Sequence, residues 1–123
     1  MVDTSDISAR WKQVEDLMQQ RFGKVPDLEA ILFLIGVQEL GQTGRKFTKE
    51  QKQDLMHIAV CTLLSQSGYY KREGVDGDGW PHFTELKPVS GMDLEGQETF
   101  LKAHIIHYFD ARANLPRFDH ADR

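Results

Sequence analysis

The chain has 123 residues, a formal net charge of −4, 40% hydrophobic and 28% charged residues, and no low-complexity run or internal repeat. That length fits one domain, 1–123, able to fold without a disulfide or a metal. The mild acidity excludes a nucleic-acid binder with a broad basic face, and the composition excludes a disordered chain.

The N-terminal stretch is polar and mixed in charge, without the basic and apolar regions of a signal peptide. No apolar run reaches the roughly 20 residues that cross a bilayer, so a cytoplasmic location is expected. A first helix is expected over about 6–22. Asp3, Thr4, Ser5 and Asp6 offer caps, and Ile7, Trp11, Val14, Leu17, Met18 and Phe22 make an apolar stripe that Gly23 ends.

The second helix, about 27–40, is the most apolar stretch. Between Glu29 and Glu39 every residue from Ala30 to Val37 is apolar or Gly. A helix without a polar face must be surrounded. Asp27 caps it, Gly41 ends it, and Gly36 in its middle predicts the close approach of a neighbouring helix.

The loop 41–47 has two glycines and two basic residues but lacks the phosphate-loop spacing, since only Gln42 and Thr43 separate Gly41 from Gly44. What remains is a candidate anion site of Arg45, Lys46 and Thr48 at the next helix N-terminus. That third helix, about 49–66, opens with a Thr48–Gln51 capping box. It turns apolar from Leu55 to Leu64 and should pair antiparallel with the second helix. His57 reads as a boundary histidine. Cys61, the single cysteine, reads as a buried small hydrophobe, which fits a reducing compartment.

The period changes after Ser67-Gly68. Two strands, about 69–75 and 80–86, flank Asp76-Gly77-Asp78-Gly79, a hairpin signal. Pairing Val75 with Trp80 puts Glu73 opposite His82, Lys71 opposite Thr84 and Tyr69 opposite Leu86. Val75, Trp80, Tyr69 and Leu86 then share one face, and Tyr70 and Phe83 the other. Pro81 suits an edge strand. The last helix, about 94–112, is capped by Asp93. Its main stripe is Leu94, Leu101, Ile105 and Tyr108. Ile106 and Phe109 lie well away from that stripe, so the helix is apolar over more than half its circumference. The tail 114–123 is expected to fray. The fold class is therefore mainly α: four helices with a two-stranded hairpin between the third and fourth. The second and third helices form the inner pair, and the first and last cover them.

Chemistry-bearing groups are few. Glu73, Asp76, Asp78 and His82 cluster near the hairpin tip as candidate metal or small-ligand groups. A calcium loop fails, because Trp80 and Lys87 stand where oxygen ligands belong. His104 and His107 share a helix face but lack carboxylates at di-metal spacing. No nucleophile elbow, nucleotide fingerprint or cysteine pair is present, so neither catalysis nor a cofactor is expected.

The order helix, helix, helix, hairpin resembles a winged-helix DNA-binding domain, with 68–86 as wing. That resemblance implies nucleic-acid binding near the basic start of the third helix. Asp76 and Asp78 would face phosphates at the wing tip, and nucleic acid ranks behind a protein partner. Charge is segregated along the chain: 45–52 carries a net +3 and 73–98 a net −6. Together with the surplus apolar face of the last helix and the hairpin aromatics, this points to a non-enzymatic interaction module that self-associates, as a homodimer for example, or binds a partner. Tyr69, Trp80, Phe83, Ile106 and Phe109 are the candidate contact residues.

Overall fold

The computed structural model describes residues 7–41, 46–89 and 91–111. The elements are α1 (Ile7–Phe22), α2 (Leu28–Leu40), α3 (Lys49–Ser65), β1 (Tyr70–Val75), β2 (Pro81–Glu85) and α4 (Leu94–Ala111). This is the expected order of four helices with a two-stranded antiparallel hairpin between the third and fourth. The caps proposed at 3–6, Arg45, the end of the last helix at 112 and the tail 114–123 lie outside the described residues. No helix among the described residues is long and apolar enough to cross a membrane. The chain divides into two compact units, Asp27–Ser90 and the joined ends Met1–Pro26 with Gly91–Arg123.

In the central unit, no residue of α2 from Ala30 to Leu40 is exposed, as its uniform apolarity requires. Asp27 Oδ1 accepts from the Ala30 N–H at 2.9 Å, satisfying one orphan donor of the first turn. Gly41 ends the helix in the left-handed region at φ 78°. The capping box of α3 is closed on both sides. Gln51 N–H donates to Thr48 Oγ1 at 3.1 Å, and Thr48 N–H donates to Gln51 Oε1 at 2.9 Å. At the centre Leu40, Leu55 and Ile58 are buried, with Phe33, Val37, Phe47, Trp80 and Phe83 packed against them. Phe47 stands edge-on to Phe33 and to Trp80, with centroids 6.1 and 6.5 Å apart.

The hairpin keeps the expected register only at its base. Lys71 pairs with Thr84, and the Leu86 N–H donates to the Tyr69 carbonyl. Nearer the tip His82 faces Gly74 and Val75 faces Pro81, where Glu73–His82 and Val75–Trp80 were expected. The cause is a bulge at Glu73, followed by Gly74 at φ 135°. One extra residue on one strand displaces every later pair and exchanges the faces. Val75 is displaced from Trp80 in this way and is 59% exposed; Leu86, at the unshifted base, is 57% exposed as well, so the two do not form a buried face with Trp80. Trp80 precedes β2 and packs with Phe83 on the same helical core, although the two were expected on opposite faces.

In the terminal unit, α1 pairs with α4. Asp93 Oδ1 caps α4 by accepting from Gly96 N–H at 2.8 Å. Arg10 forms an ion pair with Asp110, and Lys102 Nζ sits 5.2 Å from the centre of the Trp11 ring. Val14 and Met18 of α1 are buried, as are Ala103 to Ile106 and Tyr108 of α4. Leu94, expected in the apolar stripe, is 82% exposed. It is the first residue of α4, and burial begins only two turns further along.

Candidate functional site

The third helix, polar in its first turns and apolar from Leu55, carries a polar stripe that runs on into its apolar half. Gln51, Asp54, His57 and Cys61 recur at three- and four-residue steps, which align on one side of an α-helix. The bulged hairpin lies alongside and brings Tyr70 and the Asp76–Phe83 segment to that stripe. Between them lies an open cleft of about 470 Å³, within the size range of small-ligand sites. Asp54, Asp76 and Asp78 supply its charge, and His57 and His82 its titratable rings. Tyr70, Trp80 and Phe83 form the aromatic wall, and no Lys or Arg lines it.

The hairpin tip owes its form to one carboxylate. Asp76 Oδ1 accepts from the backbone N–H groups of Asp78 (2.9 Å) and Trp80 (3.0 Å), and Oδ2 lies 2.9 Å from His82 Nε2. The His82 bond, reinforced by the Trp80 N–H, holds the Asp76 carboxyl below the usual carboxylate range. Its lone pairs are engaged within the turn, so Asp76 shapes the cleft and fixes the Trp80 backbone beside it.

Deeper in the cleft, Cys61 Sγ lies 3.5 Å from His57 Nε2. A cysteine beside a histidine suggests a nucleophile, but the environment acts in the opposite direction. Cys61 is 1% exposed. Burial, with the Glu85 charge adding to it, pushes its thiol up to about 11, whereas reactive cysteines need a lowered value. Burial raises Tyr70 as well, with smaller contributions from Cys61 and Glu85. The pair holds a neutral thiol against a histidine and does not form an activated nucleophile.

Of the groups singled out at the tip, Asp76, Asp78 and His82 line the cleft, while Glu73 sits exposed on the bulge and does not. No three His, Cys, Asp or Glu side chains among the described residues come together as a metal site. Of the anion candidates, Lys46 is exposed, Thr48 is occupied by its capping box, and Arg45 is outside the described residues. The contact candidates divide between the units. Trp80 and Phe83 line the cleft, and Tyr69 lies under Lys87 Nζ at 4.6 Å. On α4, Ile106 is buried and Phe109 is half-buried against Tyr108. His104 is buried with Nδ1 2.7 Å from the Phe100 carbonyl oxygen, and His107 is exposed. Gln51, Asp54, His57, Cys61 and Tyr70 were not singled out from sequence as one site. The periodic polar stripe on α3 is the signal that could have found the first four.

No family model matches this chain, and no curated protein or solved structure is significantly similar to it.

Proposed function

We propose that this chain is a non-enzymatic interaction module whose binding site is the cleft between α3 and the hairpin. The observation that supports this reading is the makeup of the cleft: an aromatic wall of Trp80, Tyr70 and Phe83 beside the carboxylates of Asp54 and Asp78. Apolar faces with a few polar groups beside them are what a binding site needs to combine area with orientation. The one candidate nucleophile in it is a neutral, buried thiol, which favours recognition over reaction.

The test is a fragment screen read by amide and indole NMR on the full chain. Fragments of mixed charge should shift the Trp80 indole, the His57 and His82 amides and their neighbours as one group. Exchanging the exposed Asp54 for Arg should change which fragments bind. A screen whose hits scatter over the surface, or leave the lining residues unmoved, removes the reading.

A further inference from the structure

Resting on that cleft as the binding site, we infer that its occupant is a second copy of this chain, which inserts the lysines at the start of its α3 to form a head-to-tail contact. The cleft displays the carboxylates of Asp54, Asp76 and Asp78, and no Lys or Arg lines it. Asp54 is exposed and makes no ion pair among the described residues, so its charge is available to a ligand. The Trp80 and Tyr70 rings beside it can receive an ammonium group on their faces. The Glu85 charge, though not part of the lining, adds to the negative potential at both Cys61 and Tyr70. A phosphate or carboxylate would meet like charge here. A purely apolar ligand would strip water from Asp54 without replacing it.

The complementary surface is on the same molecule. Lys46, Lys49 and Lys52 are exposed and make no ion pair among the described residues. Lys49 and Lys52 are one turn apart and share a side of α3. At 100° per residue Lys52 points away from Asp54 and Cys61, whereas Lys49 and Asp54 border one shallow pocket on the same helix. Lys52 therefore cannot turn back into its own cleft. Nor can two copies present Lys52 and the cleft to each other at once about a two-fold axis, because an isologous contact needs both groups on one side. The arrangement that remains is heterologous: the lysines of one copy enter the cleft of the next, leaving a free cleft at one end and free lysines at the other. The contact is small and charged, so the association is weak and sensitive to salt.

The experiment uses two charge-reversed full-length chains. Asp54→Lys with Asp78→Lys disables the cleft, and Lys49→Glu with Lys52→Glu disables the lysine patch. All four positions are exposed, and unchanged amide spectra away from the substitutions confirm folding; Asp54→Lys alone serves if the Asp78 change disturbs the turn. In sedimentation equilibrium the wild type should show a mean mass that keeps rising with concentration, and half-molar salt should weaken this about tenfold. Each variant alone should be monomeric, since its own patches then carry like charge, and their equimolar mixture should associate again, because the native lysines meet the native cleft and the two reversed patches also carry opposite charge. A monomeric wild type at tens of micromolar overturns the inference. So does assembly that both reversals leave intact, or a wild type that closes at two copies. Fragment binding at the cleft of a chain that stays monomeric would keep the binding reading and reject the second copy as occupant. Loss of both rejects the site itself.

Discussion

Gly36 of α2 and Leu55 of α3 meet backbone to backbone: a Cβ on Gly36 would lie 2.7 Å from the Leu55 carbonyl carbon and closer still to its oxygen. No flexible side chain is available to move aside. Gly36→Ala gains about 1 kcal/mol in helix propensity but forces the helices apart at the core, an overpacking cost of about 1–3 kcal/mol. The expected net result is destabilisation of the central unit by up to about 2 kcal/mol, measured by urea unfolding with Trp80 as reporter. A variant as stable as the parent would show that the helices do not approach this closely.

Asp76 sets the acid limit of the hairpin tip. Its carboxyl titrates lower in the folded chain than in the unfolded one, chiefly through the His82 bond. Its contribution is therefore complete above the unfolded value of about 3.9 and is lost as pH falls through the lowered folded value. The Trp80 amide and indole signals should shift cooperatively in that window, below about pH 4. Asp76→Asn keeps an oxygen for the turn N–H groups, loses the charge and should flatten the transition. Persistence of the full transition in the variant would assign it to another carboxyl.

His104 sets a separate, milder limit in the terminal unit. Burial pulls its imidazole below the ordinary histidine range; the Phe100 carbonyl bond opposes this, and the nearby His107 adds to it. The folded chain takes up this proton less readily than the unfolded chain. Stability is therefore full above about pH 6.5 and declines as pH falls from there toward the lowered folded value. Melting temperature measured across that interval should slope for the wild type and level out for His104→Gln. Parallel slopes would contradict the buried, neutral placement.

Cys61 should be nearly inert. A thiol pushed up to about 11 from 9.0 carries about a hundredfold less thiolate at neutral pH, and burial adds a steric barrier. A disulfide reagent at neutral pH should therefore label the native chain at least about a hundredfold more slowly than the urea-unfolded chain. Comparable rates would place Cys61 at the surface.

The helices were legible because each signal was local. The apolar run from Ala30 to Val37 could only be a surrounded helix, and Asp27, Thr48 with Gln51, and Asp93 mark their own N-termini by bonds spanning three residues. Gly36 announced the close crossing, since a glycine in mid-helix costs stability unless its missing side chain is needed. The hairpin tip was not legible, because alternation in a strand does not show an inserted residue. The bulge at Glu73 becomes visible only once Asp76 closes the turn on Trp80 and fixes the partners on the opposite strand. Leu94 shows a related limit: periodicity assigns a residue to a side of the helix, not to the length over which that side is covered. The cleft joins Asp54 and Cys61 of α3 to His82 of β2, and no spacing along the chain encodes that approach. Its helical half was still present as the recurrence of Gln51, Asp54, His57 and Cys61.

The pairing of α1 with α4 has a consequence for the order of events during synthesis. Roughly 70 residues separate the end of α1 from the start of α4, and all of the central unit lies in that interval. At about 5–20 residues per second, α1 leaves the ribosome on the order of ten seconds before its mate exists. Throughout that interval Val14 and Met18 lack the helix they end up beside, whereas Asp27–Ser90 can settle as soon as it emerges. α1 is thus secured only after the central unit has emerged, and until then its apolar face is open to chaperones or to another copy.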